Sequence, residues 1–144
     1  MDLGLKGKVA LVAGGSQGLG LAVALDFARE GAKVAICALD DPHLPAAAEA
    51  VRKAAGGEVF AIPADVSDLE QAKNFVRKSA ARFGTVDILV NNAGGPPSMS
   101  FLEIDDDLWF RGCRLNLLST ICLLYTSDAA DDPPCVDLGG LPTL

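Results

Sequence analysis

Four apolar, β-rich runs recur along the chain, at residues 9–13, 33–38, 58–62 and 86–90, and each precedes a stretch of helical composition. From Leu19 to Arg29, apolar residues at Leu21, Val23, Ala24, Leu25, Phe27 and Ala28 follow a helical period, and Gly31 is placed to end it. Pro45 to Ala55 is alanine-rich and closes on Gly56-Gly57, with His43, the only histidine, in the loop ahead of it as a surface residue. Asp68 to Arg82 is expected to bury Leu69, Ala72, Phe75, Val76 and Ala80, leaving Lys73, Arg77 and Lys78 to solvent. Asp68 is its N-cap and Gly84 its terminator. A later helix runs from Asp105, an acidic cap, to roughly Leu118, with Trp109 on its inner face. Strands alternating with helices predict a parallel sheet covered on both faces and joined by right-handed crossovers. That is a doubly wound α/β fold, whose ligands bind at the carboxyl ends of the strands.

Polar residues gather at those ends. Strand one runs into Ala13-Gly14-Gly15-Ser16-Gln17-Gly18-Leu19-Gly20, strand three into Ala64-Asp65-Val66, and strand four into Asn91-Asn92-Ala93-Gly94-Gly95. Three glycines between a strand and a helix suit a dinucleotide turn. Gly14 lets the chain leave the strand in a conformation that a Cβ penalises. Gly18 keeps bulk away from a pyrophosphate, and Gly20 lets the helix approach the strand. The unpaired N–H groups and the positive end of the helix dipole then face the phosphates. Taken singly, Asp65 also reads as a helix-start residue, and the Asn-Asn-Ala-Gly run as an ordinary turn.

Composition narrows the class. The 144 residues suffice for one domain with a real core, and half are hydrophobic without a run long enough to cross a bilayer. The opening residues lack the layout of a signal peptide, so a cytoplasmic location is the expectation. A net charge of −7 argues against a nucleic-acid partner, and nothing points to a membrane one. Cys37, Cys113, Cys122 and Cys135 show neither CxxC pairing nor metal-ligand spacing, and Cys37 reads as a small core residue. Asp105-Asp106-Asp107 complements a helix dipole more simply than it binds a metal, and Pro96-Pro97 reads as a rigid exit from strand four.

Together these residues resemble the short-chain dehydrogenase/reductase family over Leu5 to about Ile121, because the glycine turn, Asp65 and Asn91-Asn92-Ala93-Gly94 fall in its order and spacing. Through Asn91 to Pro97 the chain is most similar to the 3-oxoacyl-carrier-protein reductases. The resemblance implies a Rossmann-like sheet represented by its first four strands and flanking helices. It also implies a bound NAD or NADP held by Gly14, Ser16, Gln17, Gly18, Leu19, Gly20 and the Leu39 region. By the same resemblance Asp65 and Val66 hold the adenine, while Asn92, Ala93 and Gly94 line the adenosine ribose and support the sheet centre. Asn116 corresponds to the family's helix asparagine, which holds a water of the proton relay. The implied reaction moves hydride between nicotinamide and a carbonyl or secondary alcohol, with a 3-oxoacyl thioester as leading substrate, in a homo-oligomer (dimer or tetramer). The runner-up is a dinucleotide-binding module without redox chemistry.

Three departures from the family matter. Ala13 replaces the usual threonine, whose hydroxyl would tie the turn to strand four. Related sequences often read Cys-Ala-Arg-Asp where this chain has Cys37-Ala38-Leu39-Asp40, so the arginine that would meet an NADP phosphate is missing, and NAD against NADP stays undecided. The family's chemistry belongs to a Tyr-x-x-x-Lys motif, with tyrosine as acid or base. Here Tyr125 is followed by Asp128 and Ala129, and no lysine follows Lys78, so the chain is expected to be inactive alone.

Residues 122–144 break the preceding patterns, and four aspartates (Asp128, Asp131, Asp132, Asp137) follow the last basic residue, Arg114. Cys122 to Asp132 resembles the translation of a transposon mosaic-end sequencing adapter, and Cys135 to Gly140 the flow-cell adapter beyond it. Residues 1–121 are therefore expected to be the N-terminal part of a dinucleotide-binding domain, and 122–144 a non-native or disordered tail. Strand four would then be an unpaired edge, and the isolated chain would associate rather than stay a stable monomer.

Overall fold

A computed structural model describes residues 3–39, 42–55, 58–95 and 100–126. Expectations placed on Asp40, Gly56-Gly57, Pro96-Pro97 and residues 127–144 lie outside them. Strands β1 (Val9–Ala13), β2 (Lys33–Ala38), β3 (Val59–Pro63) and β4 (Ile88–Val90) form one parallel sheet in the order β3-β2-β1-β4. Helix α1 (Gly18–Arg29) joins β1 to β2, α2 (His43–Ala55) joins β2 to β3, and α3 (Leu69–Phe83) crosses from β3 to β4. The strand order grows outward from β1 through β2 to β3, then reverses to β4. With crossovers of one hand, that reversal puts α3 on the face opposite α1 and α2.

Burial follows that division. Ala24, Ala28, Leu44, Ala47 and Val51 pack with Val12, Val34 and Ile36 on one face of the sheet. Phe75, Val76, Ala72, Cys122 and Leu123 pack with Val9, Leu11 and Cys37 on the other. β1 and the last five residues of β2 are buried throughout, the near-continuous apolar run of strands covered on both faces. Cys37 is a core residue, and burial pushes its thiol up to about 12, so it stays protonated at neutral pH.

Several boundaries differ from the sequence reading. β3 lies one residue later than 58–62, and Pro63 is tolerated at the end of an edge strand, where no ladder N–H is required. β4 covers three of the five residues expected from 86–90. Its start is diverted because Asp87 Oδ2 accepts from Val9 N at 2.8 Å, while Asp87 Oδ1 meets Lys8 Nζ at 3.0 Å. α2 begins at His43 rather than Pro45, so the histidine is the first, exposed residue of the helix instead of a loop residue. Proline within the first turn has no intrahelical N–H to forfeit.

The Asp87 anchor makes stability pH-dependent. The Val9 N–H, then the Lys8 ammonium, hold its carboxyl below the usual carboxylate range. A depressed folded value means that the contribution is present above the unfolded pKa and disappears as pH falls through the folded one. Asp87→Asn is expected to cost about 1 kcal/mol at pH 7 and to flatten the acid side of the stability profile. Urea unfolding at pH 7 and pH 3 measures both.

α3 starts and stops as the sequence predicts. Asp68 caps it by accepting from Glu70 N and Gln71 N, and Gly84 ends it in the left-handed region at φ 89°. Its buried face differs in two positions. Leu69, the first residue of the helix, is exposed, and Ser79 is fully buried while Ala80 is half-buried. Ser79 Oγ has no hydrogen-bond partner among the described residues. A buried hydroxyl left unmatched costs about 1 kcal/mol or more, so Ser79→Ala is expected to raise the melting temperature by several degrees. A lower melting temperature would show that the hydroxyl has a role in packing.

The final helix is longer than the sequence suggests. α4 (Asp106–Cys113), capped by Asp105 Oδ1 on Leu108 N, passes through a π turn (Arg114–Leu118) into α5 (Ser119–Thr126). It runs eight residues beyond Leu118 and takes in the first five residues of the expected tail, 122–126. Cys122 and Leu123 continue the core against α3, and Cys122 Sγ contacts Leu69 O at 3.5 Å, which holds the extra turns in place. Trp109 is not on an inner face: it is 51% exposed, because no described strand or other α-helix packs closely on α4, and it meets Phe101 edge-on at 6.1 Å.

Candidate dinucleotide site at the carboxyl end of the sheet

The glycine turn leaves β1 and opens α1. Gly14 and Gly18 take φ of 61° and 56°, values that L side chains rarely adopt. A Cβ at Gly20 would strike the Gly14 carbonyl, so helix and turn touch through bare backbone. At Gly18, in contrast, nothing lies within 4 Å. The turn is tied to β4 as well. Asn92 Nδ2 donates to Ala13 O at 3.1 Å and to Gly14 O at 3.2 Å. The tie that the Ala13 side chain cannot make is thus made from the other strand, by a side-chain amide.

The helix starts differ in a way that matters chemically. α3 and α4 each close their N-terminal N–H groups with an aspartate. α1 has Gln17 at its N-cap, with no side-chain cap bond and no acidic residue in its first turn. Its first N–H groups therefore point out of the fold with the positive end of the helix dipole behind them.

They point into a cleft of about 740 Å³ along the carboxyl end of the sheet. Gly14, Ser16, Gln17, Gly18 and Leu19 form one wall. Leu39 follows β2, and Asp65 and Val66 follow β3, with Ser67 beside them. Asn92, Ala93 and Gly94 close the β4 side. Gly20 packs under the turn, outside the cleft lining. Asp65 is partly committed to its own loop: Oδ1 accepts from Ser67 N at 2.8 Å and from Ser67 Oγ at 2.7 Å. The loop is held from the other side by Gln71 Oε1, which accepts from Asp65 N at 3.0 Å.

Asn116 stands apart. It lies in the π turn, where Ser119 N bonds back five residues to Arg114 O, and its Nδ2 donates to Gly112 O at 3.1 Å. It lines a separate cavity of about 170 Å³ with Asn91, Ser119 and Thr120, next to the larger cleft. The sequence reading omits the fourth wall of the cleft: Leu108, Arg111, Gly112 and Leu115, with Arg114 alongside. Their i, i+3/i+4, i+7 spacing is that of a single helix face, a signal the order of residues carries by itself. Among the described residues no group of three His, Cys, Asp or Glu is placed to hold a metal, and no helix is long and apolar enough to cross a membrane.

Comparison with known proteins agrees with this architecture. The family model for short chain dehydrogenases matches residues 8–127. The chain belongs to that family. An uncharacterized oxidoreductase of Thermotoga maritima is 40% identical over 125 residues, covering 86% of this chain and 48% of its relative. L-sorbose reductase from Gluconobacter frateurii, solved with NADPH and L-sorbose, superposes with a TM-score of 0.84 at 34% identity, over 90% of this chain and 49% of that one. An NADH-dependent reductase, A1-R', solved with NAD, gives 0.81 at 31% identity, over 90% and 54%. The chain spans about half the length of these relatives.

Proposed function

We propose that this chain is the dinucleotide-binding part of an NAD(P)-dependent oxidoreductase that moves hydride between nicotinamide and a carbonyl or secondary alcohol. One observation carries the reading: α1 alone among the α-helices with a described N-cap lacks an acidic cap, and its bare N-terminus opens on the cleft between two glycines of positive φ. A diphosphate supplies the anion that Asp68 and Asp105 supply elsewhere. Family membership favours an oxidoreductase over a redox-silent binding module. The cofactor's nicotinamide, when bound, supplies the hydride chemistry.

In this reading Gly14, Ser16, Gln17, Gly18 and Leu19 hold the diphosphate, while Leu39, Asp65 and Val66 take the adenosine end. Asn92, Ala93 and Gly94 line the ribose path, and Gly20 lets the helix close on the turn. Asn116 serves the proton relay from the adjoining cavity. A 3-oxoacyl thioester is the proposed substrate, supported by the Asn91 to Pro97 stretch. The intact enzyme is proposed to be a cytoplasmic homo-oligomer, dimer or tetramer, and in the isolated chain the β4 edge and the exposed Leu117 and Ile121 favour association. Residues 122–144 are proposed to be non-native in origin, which the DNA across those codons tests.

Calorimetric titration of the 144-residue chain with NADH and NADPH tests the site. Binding of at least one dinucleotide is expected, with no turnover, since no Tyr-x-x-x-Lys is present in the sequence. A folded sample that binds neither would sink the reading.

A further inference from the structure

Three of the described glycines lie within helices, and the backbone accounts for two of them. Gly18 takes a positive φ, and Gly20 touches the Gly14 carbonyl. Gly112 does neither: its φ is outside the left-handed region, and a Cβ there would meet nothing within 4 Å. It nevertheless stands inside the helix that runs from α4 through the π turn into α5, where glycine is among the weakest helix formers. The bond that Asn116 Nδ2 makes to the Gly112 carbonyl oxygen would survive any side chain at this position.

The helical period calls for an apolar side chain here. Leu108, Gly112, Leu115, Ser119 and Leu123 share one face and are half-buried or buried, while Arg111, Cys113 and Arg114 beside them are exposed. The later part of that face is covered by protein, since Cys122 and Leu123 pack with Phe75 and Val76 of α3. The earlier part is not. No described strand or other α-helix packs closely on α4, and Leu108, Gly112 and Leu115 line the cleft. A half-buried apolar wall suits the uncharged ring of a ligand, and the diphosphate already has the N-terminus of α1. We infer that Gly112 sets the width of the cleft: the expected side chain is left out, so that an uncharged part of the dinucleotide lies against the α4 backbone between Leu108 and Leu115. The inference rests on the dinucleotide reading of the cleft.

Calorimetry and thermal unfolding of the full 144-residue chain test it, with NADH and NADPH titrated into the unsubstituted protein, Gly112→Ala, Gly112→Leu and Cys113→Leu. Gly112→Ala is expected to melt about 3 °C higher, because the methyl clashes with nothing and favours the helix. The same variant is expected to bind the dinucleotide about threefold more weakly, and Gly112→Leu about tenfold or more, as the cleft fills. Cys113→Leu adds bulk one residue on, outside the described cleft lining, and is expected to bind as the unsubstituted chain does. Full affinity in Gly112→Leu, or an equal loss in Cys113→Leu, would overturn the inference and leave the site itself standing. A lower melting temperature in Gly112→Ala would overturn it too, by showing that the fold needs the glycine. Absence of binding by both dinucleotides in a folded, unsubstituted sample would overturn the cleft reading and this inference with it.

Discussion

Gly20→Ala is expected to cost about 3 kcal/mol or more, enough to unfold a large share of a marginally stable chain. The added methyl would collide with the Gly14 carbonyl, which is backbone and cannot rotate away. Asn92 Nδ2, which bonds that same carbonyl, stands 2.8 Å from the added carbon, so relief in one direction breaks the tie to β4. Gly18→Ala is the informative contrast. Its methyl meets nothing in the protein, so the stability loss is limited to the left-handed backbone, about 1 kcal/mol. Dinucleotide affinity is nevertheless expected to fall strongly, because the open space at Gly18 is where the diphosphate would lie. Thermal unfolding and calorimetric titration of both variants separate the two roles: one glycine makes the turn foldable, the other makes it usable. Equal stability losses would mean that the turn is not packed as described.

The second large effect is expected at Asn92→Asp, about 3 kcal/mol at pH 7. The wild-type amide gives both its described bonds to carbonyl oxygens, Ala13 O and Gly14 O. A carboxylate at that place is acceptor against acceptor, with a negative charge added. The carboxyl of the variant would titrate above its unfolded value, because its surroundings favour the protonated form. The penalty is therefore greatest above that pKa and is relieved as pH falls below about 5. Asn92→Ala removes the donors without adding repulsion and is expected to lose about 2 kcal/mol with little pH dependence. Urea titrations of the two variants between about pH 4 and 8, spanning the carboxyl's titration, measure the difference. Parallel profiles would show that Asn92 does not bridge the turn and β4.

The strand and helix alternation, the N-cap at Asp68 and the terminator at Gly84 were legible because each depends on neighbours a few residues away. Helical period, cap chemistry and glycine backbone freedom are local properties of a chain. So was the glycine turn, since a strand, three spaced glycines and a helix follow one another without interruption. The misplacements have the opposite character. Trp109 is apolar and on a helical period, yet which side of a helix is covered depends on elements distant in sequence. The start of β4 is decided by Asp87 reaching Val9, 78 positions away, and the extension of α5 by Cys122 meeting Leu69, 53 away.

The residues alone determined the fold class and the place of the turn, because β1 supplies its own buried run and the three glycines admit few other conformations. Only the tertiary structure decided what the turn is bound to and what surrounds it. The order β3-β2-β1-β4 brings Asn92 under Gly14 and sets Arg111 and Arg114 in the same cleft as Leu39. Sequence separation carries no information about such approaches, since they depend on which faces the crossovers fill.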